Sequence, residues 1–170
     1  MDTMKALVLL KKGTIQLQNV PKPKPAKGEA LIRVRACGIC GSDIPRIYGD
    51  IAYYYPSIPG HEFAGDVEDV ADLNQNGNWI GKRVTVFPLI PCYHCRLCQI
   101  GLYEMCESYG YIGSRRDGAF AEYVTVPVAN CLELPDKVSY ESGALSEPAA
   151  VTLHALRRSS IPFGKTVAVF

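Results

Sequence analysis

Four cysteines crowd into one segment of the chain, and this is the feature that most constrains its fold. Cys92, Cys95 and Cys98 are separated by two residues each, and Cys106 follows in a stretch from Pro91 to about Tyr109 without helical or strand periodicity. A loop of that kind is uncommon in a compact domain unless a bound metal replaces the missing core. Four thiolates complete a tetrahedral zinc ion, so the pattern predicts a closed structural zinc site. An iron–sulfur cluster and four reduced surface thiols are the alternatives.

Composition narrows the class of protein. The 170 residues suffice for one full core, and the net charge of +1 offers no basic face for nucleic acid. The N-terminus lacks an export signal, and no apolar run approaches the roughly 20 residues that a membrane helix needs. Seven cysteines without such a signal indicate metal binding before disulfides. We therefore expect a cytoplasmic protein that binds neither nucleic acid nor membrane.

Short apolar or alternating runs, separated by Gly and Pro turns, predict a mainly β fold such as a sandwich or partly open barrel. The predicted strands cover residues 4–10, 15–19, 29–36, 63–70, 82–88 and 119–127. A short helix is predicted through Tyr48 and a longer one over Pro148–Ser159, with a loop over Asn74–Asn78. The final run, Thr166–Phe170, is typical of the first strand of a parallel α/β unit.

A second set of metal-binding side chains is dispersed along the chain. Cys40 follows the strand that ends near Ala36, and His61 and Glu62 follow a Pro-Gly break. A mixed set of thiolate, imidazole and carboxylate is what a catalytic zinc site with an open position uses. Glu147, at a predicted helix start, is the carboxylate best placed to complete it. The alternative for His61 alone is a structural histidine.

Several motifs in one order carry a resemblance to a known family. They are Cys37-Gly38-Ile39-Cys40-Gly41-Ser42-Asp43, Gly60-His61-Glu62-Phe63-Ala64-Gly65, the four-cysteine loop, Asp117-Gly118-Ala119-Phe120-Ala121-Glu122-Tyr123 and Glu147-Pro148. Together they resemble the zinc-dependent medium-chain alcohol and polyol dehydrogenases. The resemblance implies a GroES-like, partly open β barrel as the zinc-binding catalytic domain over residues 1–147. Residues 148–170 would then be the linking helix and first strand of a dinucleotide-binding Rossmann-type domain.

The resemblance also assigns roles to the dispersed site. It makes Cys40 and His61 ligands of a catalytic zinc, beside the structural zinc of Cys92, Cys95, Cys98 and Cys106. Glu62 and Glu147 would be carboxylates that bind this zinc directly, alternate with each other as ligands, or act through a bound water.

Two further residues receive roles by resemblance. Ser42 would relay the proton of the alcohol, and Asp43 would orient His61; helix capping is the alternative for both and is compatible with these roles. The acceptor of hydride would be NAD in the full-length enzyme. Its Gly-rich binding turn is expected beyond Phe170, so these 170 residues alone are not expected to bind NAD or turn over substrate.

The finer motifs resemble a branch of the family that oxidises a polyol phosphate such as galactitol 1-phosphate. Tyr54 and Tyr55 could stack on the substrate, with aromatic packing as the alternative, and Arg115 could meet its phosphate, with a solvated turn as the alternative. Threonine or butanediol dehydrogenase is the nearest rival, and a zinc-bound module without turnover is the rival of another class. The family resemblance further implies a homo-oligomer.

Overall fold

The computed structural model describes residues 2–72, 79–161 and 164–168. Short strands dominate the first part of the chain, as the sequence predicts, and short helices lie between some of them. The strands are β1 (Thr3–Lys11), β2 (Thr14–Pro21), β3 (Glu29–Gly38), β4 (Glu62–Val70), β5 (Arg83–Val86), β6 (Leu89–Ile90), β7 (Gly110–Tyr111), β8 (Tyr123–Pro127) and β9 (Cys131–Glu133). The helices are α1 (Asp43–Tyr48), α2 (Arg96–Gln99), α3 (Tyr140–Ala144) and α4 (Ser146–Ser159), with single 3-10 turns at Tyr103–Met105 and Val128–Asn130.

The first two strands form an antiparallel hairpin. Met4, Ala6 and Val8 alternate with exposed residues in β1, so one face of the hairpin packs on Ile58 in a small core of its own. The turn between the strands contains Gly13 at φ +71°, a left-handed conformation that glycine adopts without strain.

A five-stranded antiparallel sheet, in the order β8-β3-β4-β5-β9, forms the body of the domain. Its main core consists of the following residues, each more than nine-tenths buried: Ala30, Ile32, Phe63, Val67, Val70, Val84, Val86, Ile112, Ala119, Val124, Val126, Val128 and Cys131. The second, two-stranded sheet pairs β6 with β7 at the edge of the cysteine-rich segment.

The pairing of β3 with β4 positions the dispersed site. Gly38, the last residue of β3, lies opposite Glu62, the first residue of β4. The backbone therefore brings Cys40, two residues after Gly38, towards His61, one residue before Glu62. Residues far apart in the sequence meet because the ladder ends where both loops begin.

Some boundaries differ from the sequence prediction. The strand expected over 119–127 begins only at Tyr123, because Ala121 bridges to Ala6 and the backbone N–H of Leu7 donates to the carbonyl of Phe120. Those residues tie the hairpin to the sheet instead of lengthening β8. The strand expected over 82–88 spans only Arg83–Val86.

The C-terminal expectations are met in part. Helix α4 covers the predicted helix and two residues before it. Residues 165–168 belong to no strand, and no strand within the described ranges pairs with them, which a strand needs. Residues 169 and 170, the end of the predicted strand, and the predicted loop Asn74–Asn78 lie outside the described residues. In the described parts of the chain, no helix is both long enough and apolar enough to cross a bilayer.

Candidate metal sites and active site

The four cysteines of the loop converge on one point. Their sulfur atoms all lie within 4.8 Å of one another, and the sulfurs of Cys92 and Cys98 are 3.9 Å apart. A tetrahedral zinc ion with bonds of ~2.3 Å holds its sulfurs roughly 3.8 Å apart, so the spacing fits that ion. All four residues are ligand candidates, and the set leaves no open position.

Backbone amides of the same loop point at these sulfurs. The backbone N–H of Cys92 donates to the sulfur of Cys106 at 3.3 Å. The N–H of Cys95 donates to the sulfur of Cys92 at 3.3 Å, and the N–H of Cys98 donates to the sulfur of Cys95 at 3.4 Å. The bond from Cys98 is the main reason that the pKa of the Cys95 thiol falls to about 6. Such amides stabilise thiolate, the form that binds a metal.

The dispersed set also converges. A sulfur of Cys40, a ring nitrogen of His61 and a carboxylate oxygen of Glu62 all lie within 4.8 Å of one another. His61 and Glu62 are buried, and Cys40 is half-buried. Ligand atoms on a zinc ion stand roughly 3.3 to 3.8 Å apart, so the three donors fit the ion after small side-chain rotations and leave a fourth position open.

Two glycines make room for this arrangement. A Cβ atom at Gly38 would collide with Oε2 of Glu62, so only glycine leaves the carboxylate in place. Gly60 has φ +98°, and a Cβ there would lie 2.6 Å from Cδ1 and 2.7 Å from the backbone nitrogen of Phe120. The turn that presents His61 is therefore packed directly against the backbone and ring of Phe120, which leaves no room for a side chain at Gly60.

Asp43 lies beside the site, and its contacts involve the loop of Cys40 as well as His61. It is fully buried, and its Oδ2 accepts the N–H of Cys40 at 3.0 Å. Its Oδ1 is 3.9 Å from Nδ1 of His61 and 3.5 Å from Nη1 of Arg46. The first distance is too long for a hydrogen bond, and Nδ1 of His61 is buried without a partner in the described structure. Asp43 therefore fixes the loop of Cys40 directly.

Ser42 occupies the N-cap position of α1, but its side chain makes no capping bond. Its backbone N–H donates to the sulfur of Cys40 at 3.5 Å. The residue is half-buried beside the candidate ligands. Its hydroxyl is therefore not committed to the helix, which leaves it available for the relay role that the resemblance implies.

Glu147 stands beside the set without joining it. Its Oε1 accepts the hydroxyl of Tyr111 at 3.4 Å, and the ring of Tyr111 packs edge-on against His61 at a centroid distance of 5.6 Å. Partial burial raises the pKa of Glu147, with Glu62 adding to the effect while His61 opposes it. Burial likewise raises the pKa of Tyr111 above its ordinary value. Direct ligation by Glu147 stays a prediction.

The three substrate candidates lie in different surroundings. Tyr54 donates to Oδ1 of Asp117 at 3.0 Å and lines a cavity of about 550 Å³ whose wall contains none of the three converged ligands. Tyr55 is exposed. Arg115 is exposed and packs against two tyrosine rings.

Sequence reasoning missed Tyr111 and Arg46. Tyr111 belongs to no motif, and only the pairing of β7 with β6 places its ring against His61. Arg46 contacts Asp43 one turn along α1, a spacing that could have suggested the pair.

Comparison with known proteins accords with this geometry. The pattern of the alcohol dehydrogenase GroES-like domain matches residues 26–136, which is more than half of the chain. This chain belongs to the zinc-type alcohol dehydrogenase family. The resemblance drawn from the motifs and the GroES-like, mainly β fold are thereby confirmed.

Several relatives of this family member have described activities. Galactitol 1-phosphate 5-dehydrogenase of Escherichia coli K12 is 44% identical over 131 residues, covering 75% of this chain and 36% of that protein. L-galactonate-5-dehydrogenase of the same strain is 36% identical over 174 residues, covering 99% and 49%. The (R,R)-butanediol dehydrogenase of Bacillus subtilis is 36% identical over 169 residues, covering 92% and 47%.

A solved structure shows the same likeness in three dimensions. A zinc-binding dehydrogenase from Sinorhizobium meliloti, bound to NADP, superposes with a TM-score of 0.91 at 38% identity, covering 98% of this chain and 48% of that one. The chain thus spans about half or less of the length of the relatives that it matches.

Proposed function

We propose that the protein containing this chain is a zinc-dependent dehydrogenase that oxidises a secondary hydroxyl of a polyol or polyol phosphate, with hydride transfer to NAD. One observation carries the proposal: the donors of Cys40, His61 and Glu62 converge with a fourth position open, beside a separate and closed thiol site. A zinc ion held there would lower the pKa of a bound hydroxyl and so prepare an alcohol for oxidation. Relatives that act on a polyol phosphate and on the polyol sorbitol support the substrate class.

The residues around the donors have separable tasks. Cys40, His61 and Glu62 would hold the metal, and Asp43 keeps the loop of Cys40 in place. The hydroxyl of Ser42, free of a capping bond, would pass the proton of the alcohol outwards. Proton transfer by a positioned group typically contributes ~10²- to 10⁴-fold to a rate. Replacing Ser42 by Ala should therefore lower kcat by about 10²-fold or more, and Ser42→Thr should restore much of it.

The second domain is a proposal of the same kind. Helix α4 leaves Val151, Leu153 and Leu156 at 61%, 51% and 52% exposure. Apolar side chains in such a row favour a covering partner. We propose that residues 1–147 are the catalytic domain and that residues 148–170 begin a dinucleotide-binding domain. The rest of that second domain would cover these exposed side chains and bind NAD. All seven cysteines lie within the described residues and are free thiols there, which supports the proposal of a reducing, cytoplasmic location.

Butanediol oxidation is the rival within the family, because one relative carries that activity. The deciding assay measures reduction of NAD and of NADP by the full-length protein with galactitol 1-phosphate, sorbitol, threonine and (R,R)-butanediol. The proposal expects the highest kcat/KM with a polyol or its phosphate. Turnover of butanediol or threonine alone would refute the substrate class.

A further inference from the structure

Arg115 is held in an unusual way for an exposed cation. Its guanidinium lies 4.3 Å from the ring centre of Tyr53 and 4.4 Å from that of Tyr109, and its Nη2 donates to the hydroxyl of Tyr53 at 3.3 Å. Cation–π contacts on two rings restrict a side chain that otherwise samples many rotamers. Arg115, Tyr53 and Tyr109 together form what we call the arginine clamp.

The clamp holds a cation without a carboxylate. Three other arginines of the described chain have one: Arg35 pairs with Asp66, Arg46 with Asp43, and Arg116 with Glu29. No carboxylate lies within 4 Å of Arg115 in those same parts of the structure. A guanidinium that is fixed in place and lacks a counterion is suited to a bidentate anion.

One ring of the clamp lines a small cavity that is also lined by Tyr111, whose ring packs against His61. Tyr109, a member of the clamp, and Tyr111 and Glu147 line this cavity of about 330 Å³. The backbone N–H of Arg115 donates to the carbonyl of Tyr111 at 2.9 Å, and the ring of Tyr111 contacts His61. The volume is at the lower end of small-ligand sites, which run from roughly 300 to 1,000 Å³.

We propose that the arginine clamp binds the anionic terminal group of the substrate, a phosphate or a carboxylate, while a hydroxyl of the same molecule lies at Cys40, His61 and Glu62. This assignment rests on the proposed function, because it names the substrate class of that site. Glu104 and Glu147 also line the cavity, so their carboxylates repel an anion and leave the guanidinium of Arg115 as the group that attracts one. The clamp thereby selects polyols that carry a terminal anion over neutral polyols.

The test compares galactitol 1-phosphate, L-galactonate and galactitol in the zinc-loaded full-length protein. In Arg115→Gln, KM for the anionic substrate should rise about 10- to 100-fold with little change in kcat, as expected for loss of charged hydrogen bonds. KM for neutral galactitol should change less than about twofold. The two anionic substrates show which terminal group the clamp accepts.

Controls separate charge from folding. Arg33→Gln removes an equal charge from an exposed position on β3 and should leave every KM unchanged. Tyr109→Ala should raise KM for the anionic substrate, whereas Tyr109→Phe, which keeps the ring, should leave it unchanged. An unchanged thermal midpoint in Arg115→Gln confirms that the variant is folded.

The outcomes distinguish this inference from the proposed function. Suppose that the protein oxidises polyols and that its preference for anionic over neutral substrates is the same in wild type and in Arg115→Gln. That result overturns the role of the clamp and leaves the proposed function standing. If no polyol is oxidised, calorimetric titration with galactitol 1-phosphate decides. Binding that Arg115→Gln abolishes supports the anion site although the function has failed, and binding that is absent or unaffected overturns it.

Discussion

Replacing Gly38 by Ala should separate metal binding from folding at the open site. The added Cβ would overlap Oε2 of Glu62 and lie 3.2 Å from its Cβ. The carboxylate must move by roughly 1 Å to reach an ordinary C···O contact of about 3.3 Å. Zinc–ligand distances tolerate only about 0.2 Å, so a shift of that size removes Glu62 from the ion.

The magnitude follows from that displacement. Losing an outer partner of a zinc ligand typically lowers metal affinity by ~10- to 100-fold, or about 1.4 to 2.7 kcal/mol, so losing Glu62 itself should cost at least that much. The obstructing atom is the tip of a flexible side chain, so the fold can accommodate the methyl group. Alanine in a strand is also preferred over glycine by roughly 0.5 to 1 kcal/mol, so the metal-free protein should unfold at the same temperature or slightly higher.

Competition with a chromophoric chelator measures the affinity of each zinc, and a thermal scan of the metal-free protein measures stability. Gly41→Ala is the matched control, because a Cβ at Gly41 meets nothing within 4 Å. Only the weaker of the two zinc sites should change in Gly38→Ala. Unchanged affinity at both sites, or a large loss of stability with normal affinity, would refute the reasoning about Glu62.

Three other substitutions test the packing around the site. Phe63→Ala empties the centre of the main core, where Phe63 has 0% exposure, and should lower the free energy of unfolding by about 3 to 5 kcal/mol in urea titrations. Gly113 has φ +78°, and in Gly113→Ala the Cβ would lie 2.5 Å from the carbonyl oxygen of Gly60. This variant should lose about 1 to 3 kcal/mol of unfolding free energy and should also lose zinc at the open site. Normal zinc binding at the open site would show that Gly113 does not hold Gly60 in place. Burial raises the pKa of Asp66, but hydrogen bonds from Tyr140 and Arg35 outweigh it and hold the pKa below its ordinary value. Tyr140→Phe should therefore lose about 1 kcal/mol at neutral pH, and the difference from wild type should shrink as pH falls below the unfolded value of about 3.9; a difference that grows in acid would contradict the sign.

The sequence predicts those parts of the fold that local patterns control. Alternation in residues 4–10 and 15–19 predicts the hairpin, and burial in β1 follows the strand period. The apolar residues from Phe63 to Val70 predict β4, whose first four residues are all buried. The cysteine spacing predicts the convergence of the loop, since a short segment has few ways to bring four sulfurs together.

Features that depend on pairing between distant segments could not be read in the same way. The strands β6 and β7 are two residues long, so they have no period, and they exist only because each supplies the partner of the other. The place of Tyr111 against His61 follows from that pairing. The collision that reserves Gly38 for Glu62 likewise depends on the register of β3 and β4.

Zinc content per chain tests the central claim most directly. After metal loading and removal of loosely bound ions, elemental analysis should find two zinc ions in wild type, one in His61→Ala and one in Cys98→Ser. The ion that remains in His61→Ala should have four sulfur neighbours at ~2.3 Å by X-ray absorption, and the ion in Cys98→Ser should have mixed sulfur and nitrogen or oxygen neighbours. A single zinc in wild type that survives His61→Ala unchanged would contradict an open site at Cys40, His61 and Glu62.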